Sequence, residues 1–309
     1  MKSDRSISAR KLIAATCLLA GVAVAFPAAV WAQDARPTAV LEEVLVTAQK
    51  REQSLQDVPI SITALSGEKI NTFAAGGEDI RLLSSRVPGL NAESSNGRVG
   101  PRFYLRGLGN TDFDLAASQP VSVVVDEVVQ ENVILKSFPL FDLERVEVLR
   151  GPQGTLFGRN TPAGIIKFDT RKPTQEVEGY VNASYGSFGT GIFEFARGGG
   201  LSDTVSSRIS LLYQQRDDWV NNPYLGISDV MGGFEEFAGR VQLMFEPSDT
   251  FGALANLHFR NYDGTASLFR ANILTTGSDS INSNFVDDAV FYGDTHDNPQ
   301  GYDSWGGSL

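Results

Sequence analysis

The chain has 309 residues, of which 42% are hydrophobic, and its formal net charge is −11 at pH 7. This length and composition can supply a buried core, whereas the acidic balance argues against nucleic acid as a partner. Beyond the N-terminus, no apolar run is long enough for a membrane-spanning helix.

The N-terminus has the pattern of a secretory signal peptide. Four basic residues precede or begin the apolar stretch 12–30, and residues 30–32 fit a small-x-small cleavage site. We therefore predict a cleaved signal peptide at residues 1–32, with a retained membrane anchor as the alternative. Cys17 lies inside it, and Thr16 stands where a lipoprotein would have Gly or Ala. Cleavage would leave a chain without thiols, which suits an oxidising envelope.

Residues 33–57 form a polar leader that contains one strand pattern. Residues 43–48 alternate β-branched and other side chains, and a charged stretch follows at 49–52. We expect no partner strand nearby. Periodicity alone leaves two possibilities: the first strand of the globular domain, or an extended segment that pairs with another protein.

Residues 58–140 are predicted to form a compact mixed domain. Strands are expected at 58–64, 103–107 and 121–129, and helices at 67–73 and 79–87. Pro88 and Gly89 end the second helix. Loops are expected at 94–98 and at 108–119, and the second of these is rich in Asn, Asp and small residues.

Residues 141–173 carry the most informative pattern of the chain. Residues 143–149 alternate with a period of two, which predicts a strand, and a second strand is predicted at 164–170. Between them, glycines and a proline crowd into eight residues and predict a tight turn. The residues alone favour a structural hairpin or a phosphate-binding loop, but the Gly-Lys-Ser/Thr of a P-loop is missing.

Residues 143–158 closely resemble the end of the plug domain of TonB-dependent outer-membrane receptors. The shared pattern is hydrophobic-Glu-Arg-hydrophobic-Glu-Val-Leu-Arg-Gly-Pro, followed by a glycine and an aromatic-Gly pair. Shorter plug-like motifs occur at 86–90, 105–107 and 123–126, so the resemblance covers residues 41–173. The family usually has Asp-Gly where Asp126 and Glu127 stand, which leaves the type of that turn open.

The resemblance implies a set of structural residues in the plug. Its charged members are interpreted as ion-paired groups that hold the plug inside a polar barrel lumen. The full set comprises Arg106, Gly107, Glu144, Arg145, Glu147, Arg150, Gly151, Pro152, Gly154, Gly158 and Arg159.

The resemblance also implies the sites through which such receptors work. The TonB box is the peptide that engages the periplasmic transducer TonB, which acts with ExbB and ExbD, and it would pair by β-augmentation. The residues that match it are Glu43, Val44, Leu45, Val46, Thr47 and Ala48. Outward-facing plug loops contribute to ligand binding in the family, which nominates Asn110, Asp112, Phe113 and Asp114; an ordinary solvated loop is the alternative. The leader is too short for the extra signalling domain that some members carry.

Beyond residue 173 the sequence changes to amphipathic strands, predicted at 177–186, 190–197, 205–216, 234–246 and 251–262. A soluble sandwich would show the same alternation. Strands of about ten residues, aromatic residues near strand ends, and alternating short and long connections favour a transmembrane β-barrel. The short connections 201–204 and 247–250 are predicted to be periplasmic, and 217–236 and the residues from 264 onward extracellular.

The predicted fold is therefore an N-terminal α+β plug domain, 58–173, followed by antiparallel transmembrane β-barrel strands, 174–309. Plugged transporters have about 22 strands. Five predicted strands would make only part of such a barrel, so we expect the chain to be a fragment or a truncated reading frame.

Catalytic and metal-binding motifs are missing from the sequence, and His258 and His296 stand far apart without a nearby cysteine. We predict neither an enzyme nor a resident cofactor. The resemblance implies TonB-dependent uptake across the bacterial outer membrane by a lipid-embedded monomer, with a ferric siderophore as the default ligand. Cobalamin, an oligosaccharide or another organic nutrient is the alternative cargo. A plug-like periplasmic binding module without transport is the alternative of a different class.

Overall fold

The protein was analysed as a computed structural model that describes residues 44–47, 50–112, 114, 116–270, 272–291, 293 and 299–309. The predicted signal peptide lies outside the described residues, as do Glu43, Ala48, Phe113 and His296. Within the described part, no helix combines the length and the apolar character needed to cross a membrane.

The first part of the fold is an α+β domain. Its strands are, in chain order, β1 (Leu45–Val46), β2 (Gln53–Ser54), β3 (Ser61–Ser66), β4 (Leu90–Glu93), β5 (Arg102–Leu105), β6 (Val121–Val125), β7 (Val128–Gln130), β8 (Leu143–Arg150) and β9 (Gly164–Thr170). Five of them form one sheet in the order β3-β8-β9-β6-β7, in which only β6 and β9 run parallel. The pairs β1-β2 and β4-β5 are separate. Strand β4 was not predicted.

In the described part of this domain, three short helical segments accompany the sheet. Helix α1 (Gly67–Ala74) begins after Ser66, whose hydroxyl accepts from the amide of Lys69 as an N-cap. The helix predicted at 79–87 is instead a 3₁₀ helix (Ile80–Ser85), capped by the Asp79 carboxylate. Helix α2 (Gly154–Phe157) lies within the stretch predicted as a tight turn, and Gly151 and Gly158 on either side of it have positive φ angles.

Strands β8 and β9 give the sheet two faces because successive side chains point to opposite sides. Val146, Val148 and Ile166 face the larger core, which they share with α1 and the 3₁₀ helix. Leu149 and Ile165 face the opposite side and a smaller core. That second face carries the N-terminal residues.

The structure gives the type of the turn between β6 and β7, which the sequence left open because Glu127 stands where the family usually has glycine. Asp126 and Glu127 have φ angles of 45° and 70°, and Val125 pairs directly with Val128. Positive φ at both central residues is typical of a two-residue type I′ hairpin turn. Glu127 therefore occupies a conformation that glycine would adopt with less strain.

The second part is a six-stranded antiparallel sheet in the order β10-β11-β12-β15-β16-β17. Its strands are β10 (Glu178–Tyr185), β11 (Gly191–Ser202), β12 (Val205–Arg216), β15 (Phe234–Ser248), β16 (Phe251–Thr265) and β17 (Pro299–Ser308). The loop between β12 and β15 contains the hairpin β13 (Val220–Asn222) and β14 (Ile227–Met231). Five strands were predicted for this sheet, and the sixth, β17, was missed because it lies in a region expected to be loop.

The two faces of this sheet differ in polarity. Ile209, Val241 and Leu257 are exposed on the outer face. Arg208 and Arg240 are buried on the inner face, where they reach the α+β domain. An apolar exterior around a polar interior is the pattern of a membrane β-barrel wall. The sheet is thus part of a barrel that holds the first domain on its inner side.

Candidate functional site

The α+β domain is called the plug below, and residues 44–47 are called the N-terminal segment. This segment forms a short extended strand against the second face of the five-stranded plug sheet. Leu45 and Val46 pair with Ser54 and Gln53, and the amide of Leu55 donates to the carbonyl of Val44 at 2.8 Å. The expectation that this segment lacks a nearby partner strand was wrong. Its partner is a strand of two residues, which is too short for periodicity to reveal.

One apolar side chain anchors the N-terminal segment. Val46 has 0% exposed area and packs in the smaller core with Leu149, Phe157 and Ile165. Full burial of a valine side chain stabilises the docked segment by about 1.5 kcal/mol. Val44 and Leu45, by contrast, are 45% and 44% exposed. The segment is therefore held at one apolar position and remains open to solvent at its neighbours.

A charged cluster lies beside this anchor and consists of Arg145, Glu147, Lys167 and Asp169. In the register of β8 and β9, Glu147 stands opposite Lys167 and Arg145 stands opposite Asp169, so all four side chains share one face. Arg145 Nε lies 3.1 Å from both Glu147 and Asp169. Lys167 Nζ lies 2.6 Å from Asp169. Opposite charges thus alternate across two neighbouring strands.

Thr47 joins the N-terminal segment to this cluster. Its main-chain amide donates to Glu147 Oε1 at 2.7 Å, and its hydroxyl accepts from Lys167 Nζ at 2.7 Å. The hydroxyl also lies 3.3 Å from Asp169 Oδ2. Glu147 and Lys167 are both fully buried. Hydrogen bonds to buried charged groups are the stronger ones, so Thr47 is the polar attachment point of the segment.

Burial and neighbouring charges act in opposite directions on the two central groups. Burial raises the pKa of Glu147, and Asp169 adds to the rise, while the Thr47 amide, Lys167 and Arg145 oppose it. Burial would lower the pKa of Lys167, but Asp169 and Glu127 hold that pKa above its ordinary value. Among the described residues, Glu147 Oε2 is buried without a hydrogen-bond partner. Glu147 is therefore a carboxylate whose hydrogen bonding depends on the N-terminal segment.

A second ionic contact fixes the plug to the barrel wall. Asp142 is fully buried and accepts from Arg208 Nε and Nη2 at 2.8 and 2.6 Å, and from the Ser210 hydroxyl. Arg240 Nη2 lies 3.5 Å from the same carboxylate. Burial would raise the pKa of Asp142, but these donors hold the pKa below its usual range. Because Asp142 directly precedes β8, the strand that carries Glu147 begins at the wall.

The charged residues named from the sequence make contacts within the plug. Glu144, Arg145 and Glu147 form ion pairs within the plug. Arg150 donates to the carbonyl of Pro88 and to the Thr63 hydroxyl. In the described part of the wall, Asp142 contacts Arg208 and Arg240, and the interpretation that the named charges hold the plug inside the lumen remains a prediction. Arginines on the inward face of amphipathic strands were the signal that could have identified the contact of Asp142.

The remaining structural residues lie at turns or on the surface. Arg106 and Gly107 have positive φ angles of 53° and 81°, and the Arg106 amide donates to the carbonyl of Gly89. Arg159 is mostly exposed and lies 3.7 Å from Glu131. These positions shape connections of the plug.

The loop that was nominated for ligand contact, around Asn110 and Asp112, is largely exposed. Its own side chains accept hydrogen bonds from its backbone amides. The amide of Asp112 donates to the Asn110 side chain, and the amide of Asp114 donates to the Asp112 carboxylate, both at 2.9 Å. These are Asx turns, in which side chains satisfy the local backbone. Among the described residues, no group of His, Cys, Asp and Glu is arranged to hold a metal ion. The nomination of this loop for ligand contact remains a prediction.

Two outer connections pack against each other, and one of them meets the plug. The amide of Gly97, in the predicted loop 94–98, donates to the Ser267 hydroxyl at 2.7 Å. Val220 and Met231 of the β13-β14 hairpin share a small core with Val290. The connections after β12 and β16 thus pack together on the side of the sheet away from the short turns.

Comparison with known proteins agrees with this architecture. Residues 54–165 match the family model of the TonB-dependent receptor plug domain. The chain is 33% identical over 211 residues to the pesticin receptor of Yersinia pestis, covering 67% of this chain and 30% of that protein. It is 30% identical over 151 residues to the vitamin B12 transporter BtuB of Vibrio vulnificus, covering 47% of this chain and 23% of that protein.

Among solved structures, the chain resembles the ferric yersiniabactin uptake receptor FyuA from Yersinia pestis. The TM-score is 0.61 at 29% identity, covering 67% of this chain and 32% of that chain. The chain therefore spans between 23% and 32% of the length of these relatives. The likeness extends beyond the plug, because the plug model matches residues 54–165 whereas the comparison with FyuA covers 67% of this chain.

Proposed function

Because this chain belongs to the TonB-dependent outer-membrane receptors, we propose that it serves in the active uptake of a scarce small ligand across the bacterial outer membrane. The observation that carries this proposal is the docking of the N-terminal segment. One buried valine and one threonine hold an otherwise exposed extended peptide to the plug. Such a limited attachment suits a peptide that must be released and captured by a partner.

The proposed mechanism uses three parts of the chain. Ligand binds on the outer side, where the long connections and plug loops lie. A change in the plug then frees the N-terminal segment, the described part of the proposed TonB box, into the periplasm. TonB, acting with ExbB and ExbD, adds a strand to it by β-augmentation, in which main-chain hydrogen bonds supply the affinity. Pulling on this segment would rearrange the plug within the wall.

A ferric siderophore is the proposed ligand. The similarity to FyuA, a receptor for ferric yersiniabactin, supports this choice. Iron would then enter only as part of the transported chelate. The match to a vitamin B12 transporter supports cobalamin as the second candidate. The buried contacts of Arg208 and Arg240 with the plug favour a plugged receptor over a separate periplasmic module.

The test is uptake by cells that produce the full-length receptor and lack their own ferric siderophore receptors. Radiolabelled ferric chelates and cobalamin are supplied in parallel, with and without a functional TonB. We expect TonB-dependent accumulation of a ferric chelate. Accumulation of cobalamin alone would replace the ligand, and the absence of TonB-dependent accumulation of either would contradict the proposal.

A matched pair of variants tests the role of the segment itself. Leu45→Pro removes a backbone donor and fixes φ in the augmenting strand, so it should abolish uptake while ligand binding persists. Leu45→Ala keeps the donor at the same half-exposed position and should retain uptake. Normal uptake by Leu45→Pro would remove the N-terminal segment from the mechanism.

A further inference from the structure

We propose that Glu147 is the positioning residue that keeps the N-terminal segment docked, because its carboxylate occupies the main-chain donor of Thr47 that a partner strand needs. This inference deepens the proposed function and rests on it, since it names what regulates the same segment. In the docked state, a single carboxylate then prevents the segment from pairing with a partner strand.

The first step is that the segment's main chain is occupied when it is docked. The Val44 carbonyl accepts from the Leu55 amide at 2.8 Å, and the Thr47 carbonyl accepts from the Lys50 amide at 2.9 Å. The Thr47 amide points into the plug and donates to Glu147 at 2.7 Å. These groups lie on both edges of the segment, and a partner that adds a strand needs one of those edges. Docking and strand addition therefore exclude each other.

The second step is that Glu147 is suited to this role by its burial. Its side chain is fully buried, one oxygen accepts from Thr47, and among the described residues the other has no hydrogen-bond partner. If the segment left, a buried carboxylate would lose its hydrogen bonds until water or another donor reached it. This loss opposes release and adds to the stability that burial of Val46 gives the docked state.

The third step is that neighbouring charges hold Glu147 in position. Arg145 Nε lies 3.1 Å from its Oε1, and Lys167 stands opposite it on β9 while binding the Thr47 hydroxyl. Asp169 pairs with both cations. The carboxylate is thus fixed between two positive groups, with its accepting oxygen directed at the segment.

The experiment measures release by the reactivity of a cysteine placed at Val46. The natural sequence has one cysteine, Cys17, inside the predicted signal peptide. In the full-length receptor in isolated outer membranes, Val46→Cys should react with a maleimide only when the segment undocks, because Val46 is fully buried. Val44→Cys, at a 45% exposed position, should react in either state and serves as the accessibility control.

Glu147→Ala should raise the labelling rate at Val46→Cys by about tenfold or more, the change expected for loss of a hydrogen bond to a charged group. It should change labelling at Val44→Cys little. Glu147→Gln retains an acceptor oxygen and should restore most of the protection. Val148→Ala removes a fully buried side chain from the opposite face of β8 and should change labelling less than about twofold.

Variants on the segment side keep the test decisive if Glu147→Ala does not fold. Thr47→Pro removes the donating amide without altering the plug core and should match Glu147→Ala, whereas Thr47→Val keeps the amide and should have a smaller effect. Unchanged labelling in Thr47→Pro would overturn the inference. Because labelling needs neither ligand nor TonB, unchanged labelling in Thr47→Pro together with normal uptake by the wild-type receptor would contradict the inference alone. The expected labelling without uptake of any ligand would contradict the proposed function alone.

Discussion

The main-chain amide of Thr47 donates a 2.7 Å hydrogen bond to Glu147, a fully buried side chain 100 positions further along the chain. The bond joins the N-terminal segment to the middle of the plug sheet. Glu147 lies within β8, and Asp142, the residue directly before β8, binds Arg208 of the barrel wall. The segment and the wall are therefore attached to the chain only five positions apart.

The apolar anchor of the segment gives the first prediction. Val46→Ala removes two buried methyl groups and should weaken docking by about 1.5 kcal/mol. Hydrogen–deuterium exchange of the peptide that contains residues 44–47 should become about tenfold faster, because 1.4 kcal/mol corresponds to a factor of ten. Leu45→Ala, at a half-exposed position, should change exchange little. Equal exchange in the two variants would show that Val46 does not anchor the segment.

The contact of Asp142 with the wall gives the second prediction. Asp142→Ala leaves Arg208 buried without its bidentate partner, which typically costs about 3–5 kcal/mol. The lower end is expected because Arg208 keeps Glu178, at 2.6 Å. Thermal unfolding of the full-length receptor in detergent should show a lower Tm than the wild type. Asp203→Ala, at an exposed carboxylate in a short turn, is the matched control and should leave Tm unchanged.

The direction of the Asp142 pKa shift gives a third prediction, on pH. Arg208 and Ser210 hold the pKa of Asp142 below its ordinary value of 3.8. The folded state therefore binds this proton less readily than the unfolded state, and the stabilisation is present above pH 3.8 and lost as pH falls through the folded pKa. The Tm of the wild type should decrease when the pH drops below about 4. Asp142→Asn should lack this part of the fall, and an identical pH profile would contradict the assignment.

The main elements of the fold could be predicted from the sequence because their patterns are local. Strand β12 (Val205–Arg216) has the predicted bounds, since its apolar and polar residues alternate without a break. Strand β17 was missed because Gly301, Gly306 and Gly307 interrupt its pattern, and β4 because four residues are too few to show a period.

The contacts of the site could not be predicted from sequence patterns, because they join residues that are far apart in the chain. Residues 43–48 could be recognised as an extended segment, but periodicity does not tell which surface holds it. Thr47 meets a carboxylate 100 positions away, and Asp142 meets Arg208 across 66 positions. Such pairs follow only from the register of β8 against β9 and from how the wall encloses the plug.

The turn between β6 and β7 gives a fourth prediction. Glu127 has a φ of 70° and pairs with Lys167 at 3.0 Å and with Lys50 at 3.5 Å. Glu127→Ala loses both pairs and keeps the backbone strain, so it should destabilise the plug. Glu127→Gly loses the same pairs but relieves about 1 kcal/mol of strain. Chemical denaturation should find Glu127→Gly the more stable by that amount, and the reverse order would show that the turn is not strained.

The start of β9 gives the last prediction. A Cβ added at Gly164 would lie 2.1 Å from the carbonyl oxygen of Leu149 and 2.8 Å from Leu105, and the φ of this glycine is +141°. Since neither the neighbouring strand nor the packed leucine can move away without breaking the sheet, Gly164→Ala should destabilise the plug by about 3 kcal/mol or more. Gly107 also has a positive φ, +81°, but among the described residues no atom beyond its chain neighbours lies within 4 Å of its added Cβ. Gly107→Ala should therefore cost only the backbone strain, about 1 kcal/mol.

Limited proteolysis should degrade the plug of Gly164→Ala, while the plug of Gly107→Ala survives. Equal resistance of the two variants would show that close approach at Gly164 is not what requires glycine there.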